Sequence, residues 1–507
     1  LNLSRLRLAA LAVALVATLG PKHAAAAPQC PELCGRLDGY VRQAVADWEV
    51  PGLAIAVIKD GETVFARGYG IRELDGAAPV DEHTLFAIGS TTKAMTAAAI
   101  GMLVDEGMLE WDSRVAEILP EFELANPWMT RELTVRDLLT HRAGLGNADM
   151  LWYRSGREPE EILRRVRYVP EVYSPRSSFI YQNLMYAAAG EVVSRLSGMP
   201  WRQFVRERIF APLAMTDTVP VLAETLDRDN VAAPHDRVDG RLQRILNASV
   251  DSVDSAGSVW SSVADMARWA RLMLDGEVDG VRLLEPQTHA ELLRPQTIVT
   301  DAAFYPTAAL TRPHWKTYSL GWFQHDYDGR AVSFHTGSID GMVAIIGLIP
   351  DERLGVYVLA NRDHAEVRHA LMYKVFDLWG GSTEGRDWSA DLLELYGGLS
   401  EQGERALAEA AASRVAGTTP SHPIEDYAGR FRDDLYGELE VVVDDGGRLR
   451  IVYGELEASL EHWHYDTFRA RWVHPWMGDF PVTFVLATDG SIDAVEVNGS
   501  RYRRSDR

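Results

Sequence analysis

The sequence predicts an α+β chain: an antiparallel sheet flanked by helices and joined to a helical subdomain, then a small all-β barrel. Three observations lead there. Strand-like runs sit at both ends of the first 385 residues, with helical patterns between them. A linker at residues 417–423 carries two prolines. Beyond it the pattern changes to short alternating strands with turn residues between them.

Taken in order, residues 52–70 (GLAIAVIKDGETVFARGYG) form a hairpin around Asp60-Gly61, a strong turn signal. Residues 91–104 are rich in Ala, Met, Thr and Leu and read as a helix that stops at Gly107. A second helix opens in LTVRDLLTH, residues 133–141. Residues 143–178 hold Trp152, Tyr153, Pro170 and Pro175 and read as a loop-and-helix excursion that covers a site. Helical patterns follow at 181–197, 200–208 and 262–275, and strands at 320–327, 342–348 and 354–360. Residues 386–415 read as helix, giving expected units of 28–385, a helical linker at 386–420 and a barrel at 421–507. In the last unit GELEVVV, GRLRIVY, FPVTFVLA and SIDAVEV are the legible strands.

A chain of 507 residues, 47% apolar and 24% charged, can bury a large core without metal or disulfide support. Its net charge of −22 argues against nucleic acid as a partner, because phosphates would be repelled. Residues 1–27 read as an export signal: Arg5 and Arg7, an apolar run over 8–20, then four alanines before Pro28. This predicts a periplasmic or secreted bacterial protein. No later stretch is long and apolar enough to span a bilayer, so no stable membrane span is expected after signal removal. Cys30 and Cys34 are the only cysteines; they can pair into a local staple and lie far from the motifs below.

Ser90, in FAIGSTTKAM, sits where a glycine-containing loop enters a helix. Its N–H is one of the unpaired donors of a helix N-terminus, where negative charge is favoured. Lys93 lies three residues on, beside the Ser90 hydroxyl on one helix face. A serine needs a base to become a nucleophile, and a desolvated lysine can be one. The spacing alone is more often a capping serine beside a surface lysine. Two later motifs add weight. Tyr181-Gln182-Asn183 opens a helix after the covering segment. Tyr181 can pass protons between nucleophile and leaving group, and Asn183 can donate a hydrogen bond to Lys93 or to a substrate amide. Third comes His335-Thr336-Gly337, at the end of a strand. Gly337 lets substrate lie close to the backbone, and the Ser338 N–H can join that of Ser90 as an oxyanion hole.

At these positions the chain resembles the serine β-lactamase and penicillin-binding superfamily. It is most similar to the branch with class C β-lactamases, D,D-carboxypeptidases, D-aminopeptidases and esterases. The resemblance covers residues 37–380 and takes in residues 50–70, LTVRDLLTHRAGL, PLAMTDT and SAGSVWSSVADMARW. Residues 423–507 resemble the lipocalin-like barrel appended to some of these hydrolases. The resemblance implies a helical cluster carrying Ser90, Lys93 and Tyr181, and a sheet carrying His335-Thr336-Gly337. It also implies an acyl-enzyme, released by water with Tyr181 or Lys93 as base.

One departure stands out. The superfamily's β-lactam and D-Ala-D-Ala enzymes usually have lysine where this chain has His335. A histidine of ordinary pKa is mostly neutral at pH 7, which weakens recognition of an anionic substrate. The expectation is therefore a serine hydrolase of ester, amide or peptide bonds acting on a small-molecule or peptide substrate. The alternatives are a β-lactamase or D-alanyl-D-alanine carboxypeptidase, and a non-catalytic sensor that kept the fold.

Rival motifs are weak. There is no G-x-S-x-G elbow and no H-E-x-x-H. His462 and His464 share one face if their run is a strand, but nothing nearby completes a ligand set. His364 and His369 fit no ligand spacing either. No metal and no organic cofactor are predicted. Trp152, Tyr153, Trp322 and Phe323 can line the cleft or equally pack in the core. The terminal barrel can cap the site or join subunits, so a homo-oligomer stays open.

Overall fold

The computed structural model describes residues 31–381 and 385–505. The export-signal segment and Cys30 lie outside the described residues. Cys34 lies in the first described helix, with its Sγ 3.6 Å from the Val64 carbonyl.

One sheet organises the first unit. Its strands are β1 Gly52–Lys59, β2 Glu62–Gly70, β3 Thr297–Ile298, β4 Lys316–Tyr318, β5 Phe323–Tyr327, β6 Arg330–Ile339, β7 Met342–Ile349 and β8 Leu354–Ala360. They pair in the order β2-β1-β8-β7-β6-β5-β4-β3, antiparallel throughout. The two ends of the unit meet where β1 pairs with β8, Ile55 opposite Val358. The β1–β2 turn takes positive φ at both Asp60 and Gly61, as a tight hairpin of right-handed twist requires.

Side-chain alternation splits the central strands between two cores. Ala54, Ala56 and Ile58 share one core with Ile346 and Leu359; Leu53, Ile55 and Val57 share the other with Ile345 and Val358. Both faces are buried, so β1, β7 and β8 read as unbroken apolar runs. The main helices are α1 Pro31–Asp47, α2 Thr92–Asp105, α3 Asn183–Ser197, α4 Val263–Asp275, α5 Val367–Trp379 and α6 Trp388–Ala412. Residues of α2, α3 and α4 fill the first core. Residues of α1, α5 and the start of α6 fill the second.

The linker helix is only partly a linker. Trp388 and Leu392 are buried in the second core, where the Trp388 indole donates to Asp377 at 2.7 Å. Strand β5 begins three residues later than the apolar run does. Gly321 (φ 91°) sits so close to α2 that an added Cβ would lie 2.9 Å from the Ala94 Cα.

Residues 429–504 form a closed antiparallel barrel of eight strands, sealed where Phe431 pairs with Arg504. The sequence pattern exposed four of them. Leu456–His464 and Thr467–Trp472 alternate buried and outward residues too, but with alanine at the inward positions 458 and 470 their apolar signal is weak.

The barrel docks on the covering segment. Arg157 donates to the Tyr453 hydroxyl at 2.8 Å and to the Tyr436 carbonyl. Arg165 donates to the Asp434 carbonyl at 2.8 Å, and the Glu455 N–H to the Arg154 carbonyl at 2.8 Å. The bonds donated by Arg157 and Arg165 are charge-assisted, a kind that contributes roughly 1.5–3 kcal/mol each. Replacing Arg157 and Arg165 together by Ala is expected to loosen the barrel while both units stay folded. Limited proteolysis should then cut faster within residues 413–423, and native circular dichroism should be kept.

Candidate active site

Ser90 lies in one turn of 3₁₀ helix, Gly89–Thr91, that runs directly into α2. Gly89 has φ 52°, and a Cβ there would fall 2.7 Å from the Ser338 N. Only glycine satisfies both the left-handed backbone and the close approach of β6. Thr91 anchors the turn through hydrogen bonds to the Ile88 carbonyl (2.9 Å) and the Tyr357 hydroxyl (2.6 Å). Residues 92–103 of α2 are all buried, which explains their small and apolar character.

Lys93 is fully buried on this helix. Its Nζ lies 3.1 Å from Ser90 Oγ, 2.7 Å from Asn183 Oδ1 and 2.8 Å from the Ala256 carbonyl. Burial pulls its pKa down from 10.5 to about 7, against a small opposing pull from the Asp149 charge. Tyr181 packs over this amine, with Nζ 4.8 Å from the ring centre, and its hydroxyl adjoins the Ser90 side chain. Burial raises the phenol's pKa well above 10, so it stays protonated.

Asn183 does not donate to Lys93 as the sequence reading allowed; it accepts. Its amide nitrogen instead donates to Asp149 Oδ1 at 3.0 Å, an oxygen that also receives the Trp152 indole N–H at 2.8 Å. Asp149 was missed. It lies in the covering segment, and no motif marks a carboxylate that acts through an intervening asparagine.

Strand β6 forms the opposite wall. His335 is buried; its Nδ1 lies 2.6 Å from the Thr336 carbonyl and its Nε2 3.0 Å from the Tyr318 hydroxyl. The carbonyl requires a proton on Nδ1, so Nε2 accepts from Tyr318. Burial, then the nearby Lys93, lowers its pKa to about 3. Thr336 Oγ1 lies 2.5 Å from the Tyr305 hydroxyl. Gly337 has a reason beyond access for substrate: a Cβ there would lie 1.9 Å from the Ile88 carbonyl oxygen and 3.1 Å from the Ser90 N. The close approach is made by the protein's own chain. Ser338, Gly337, Gly89 and Ser90 are thus in backbone contact.

Behind this contact lies a buried cluster that the sequence reading also missed. Arg368 donates to the Gly337 carbonyl at 2.6 Å and to Ser338 Oγ at 2.9 Å. Glu366 accepts from Arg368 at 2.8 and 3.2 Å, and its other partner is His369 Nδ1 at 2.6 Å. Burial by itself would push the Glu366 carboxyl up, but Arg368 and His369 outweigh it and hold it well below the usual carboxylate range. The only sequence signal was the charge pattern of EVRH, legible only once its burial is known.

The structure thus brings Ser90, Lys93, Tyr181, Asn183, His335, Gly337 and Ser338 together, whereas the side chain of Thr336, also expected at the site, is taken up by the Tyr305 hydroxyl. Trp322 and Phe323 are core residues, Trp152 packs against the core that α2 fills, and Tyr153 packs against the barrel. A register shift separates His462 from His464; the first pairs with the Tyr465 carbonyl and the second with the Val415 N–H. Among the described residues no group of three His, Cys, Asp or Glu is placed to hold a metal, and no helix is long and apolar enough to cross a membrane.

Residues 37–376 match the family model described as Beta-lactamase. The chain belongs to the beta-lactamase family. Residues 413–505 match a domain of unknown function (DUF3471). Over 475 residues this beta-lactamase-family chain is 29% identical to the unguisins hydrolase ungD of Aspergillus violaceofuscus, covering 88% of this chain and 82% of that protein. It is 30% identical over 320 residues to penicillin-binding protein 4 of Amycolatopsis lactamdurans, covering 62% and 81% respectively. In fold it is similar to the octameric penicillin-binding protein homologue of Pyrococcus abyssi, with a TM-score of 0.61 at 22% identity over 92% of this chain and 99% of that one.

Arg368→Met should leave Glu366 buried beside His369 alone. Breaking a buried pair from one side costs roughly 3–5 kcal/mol. The expected readout is a lower urea midpoint at pH 7, with much less loss in Arg368→Met/Glu366→Gln, where no carboxylate is stranded.

Proposed function

We propose that this protein is a serine hydrolase that cleaves amide, peptide or ester bonds through an acyl-enzyme on Ser90. The reading rests above all on the three partners of the Lys93 amine. A neutral amine has two N–H donors and one lone pair. Asn183 Oδ1 and the Ala256 carbonyl can only accept, so they take the two donors. The lone pair is left for the Ser90 hydroxyl. With its pKa at about 7, Lys93 is neutral often enough to act as that base.

In the proposed cycle Lys93 takes the Ser90 proton as Oγ attacks the substrate carbonyl. The protonated Tyr181 hydroxyl beside Oγ passes a proton to the leaving group and is refilled from Lys93. Water then repeats the sequence in reverse to release the acyl group. The Ser90 and Ser338 N–H groups would hold the oxyanion. Arg368 is a positioning residue in this scheme. It clamps the Gly337 carbonyl, and in a planar trans peptide the Ser338 N–H points the opposite way, towards Ser90.

The neutral, internally satisfied His335 favours an uncharged substrate group over the carboxylate of a penicillin or a D-Ala-D-Ala peptide. Both named relatives, a hydrolase and a penicillin-binding protein, agree with acyl transfer as the chemistry. An export signal and a periplasmic or secreted location fit such a role.

Ser90→Ala should lower hydrolysis of small esters and D-amino-acid amides by about 10³-fold or more, with the fold kept by circular dichroism. Undiminished turnover would sink the proposal.

The pH profile gives an independent check. Lys93 must be neutral to act, so kcat/KM should fall as pH drops through about 7 and level off above it. His335, neutral above about 3, should add no limb between pH 5 and 9. Lys93→Arg, permanently charged, should be inactive across that range.

A further inference from the structure

The barrel is packed unevenly. Tyr427, Phe468 and Phe484 fill part of it with mutual edge contacts, ring centres 4.8–5.6 Å apart. Elsewhere it encloses a cavity of about 330 Å³, walled by Leu439, Ile451, Leu456, Trp472, Val497 and Tyr502. The catalytic domain adds Met150, Tyr153, Asp340 and Asp363 to the wall. A volume at the small end of the ligand-pocket range, with apolar and aromatic walls, suits one aryl or branched-alkyl group.

Three features tie this cavity to the catalytic cleft. Met150 follows Asp149, the residue that holds Asn183 against Lys93. Asp340 comes two residues after Ser338, in the turn that joins β6 to β7. Asp340 Oδ2 is also where the two domains join: it accepts from the Tyr153 hydroxyl (2.8 Å), Arg154 (2.9 Å) and the Trp476 indole (3.3 Å). A substrate lying along Ser338–Asp340 is therefore led from Ser90 to the barrel mouth. Asp340 already has three donors, and the other walls are neutral apart from Asp363, so an anionic group is disfavoured. The Trp472 indole N–H is buried without an acceptor among the described residues. It could receive a substrate carbonyl.

We propose that the barrel cavity is the specificity pocket of this hydrolase. It takes a neutral aryl or branched-alkyl group carried about two residues from the scissile carbonyl. The proposal rests on the hydrolase reading above, so its test has an arm that needs no turnover.

In the first arm the neutral probe N-phenyl-1-naphthylamine is titrated into full-length Ser90→Ala protein. Filling the cavity with Val497→Trp, or more mildly with Leu456→Phe, should weaken probe binding at least about tenfold. The second arm compares ethyl esters of N-phenylacetylglycine and N-acetylglycine, followed by acid release. The kcat/KM ratio of the aryl ester to the acetyl ester should fall at least about tenfold in the same filled variants. Unchanged probe binding in both folded variants, or an unchanged ester ratio, would overturn the pocket. If the wild type hydrolyses neither ester, the hydrolase reading fails, and the probe arm alone decides whether the cavity is a ligand site.

Discussion

A fully buried lysine amine is the constraint around which this molecule is arranged. Burying Lys93 disfavours its charged form, and its hydrogen-bond partners replace the water it loses. Those partners come from three segments: Ser90 in the 3₁₀ turn that leads into α2, Asn183 at the start of α3 and the Ala256 carbonyl beyond it. Each segment must be in place for the amine to be satisfied. Asp149 extends the set to the covering segment by holding the Asn183 amide. The same desolvation that makes the site costly to build brings the amine's pKa close to 7.

A second constraint is the contact between two stretches of backbone. Gly89 and Gly337 face each other at distances that no Cβ tolerates. The contact places the amides of Ser90 and Ser338 on neighbouring chains, one at a helix start and one on a strand. Arg368 locks the strand side from behind through the Gly337 carbonyl, and Glu366 and His369 hold Arg368 in turn. Charge buried behind the sheet thus serves a wall of the cleft in front of it.

The barrel belongs to the same system. Many of its docking contacts fall on residues 150–165, adjoining the Asp149 that holds Asn183, and Asp340 adds another. The covering segment therefore has two roles: one side braces the catalytic cluster and the other closes the barrel mouth. This accounts for its aromatic and arginine-rich composition, which as a loop alone would have no purpose.

Much of this was legible in the linear chain. Asp60-Gly61 between apolar runs implied the hairpin, and the runs that became β7 and β8 implied buried strands, because both signals are local. Ser90, Lys93, Tyr181, Asn183, His335, Thr336, Gly337 and Ser338 could be named as candidates because they fall in three motifs in a telling order. What stayed hidden depends on contacts across the fold. Asp149 and Arg368 act on the site through another residue, and side-chain roles of that kind leave no spacing in the sequence. The direction of the Asn183 hydrogen bonds depended on which atoms tertiary packing set opposite it. His335 went from an ordinary histidine to one held neutral because burial, with Lys93 nearby, disfavours its charge. Residue identity determined which reactions were available; burial, a property of the folded molecule alone, decided their protonation states.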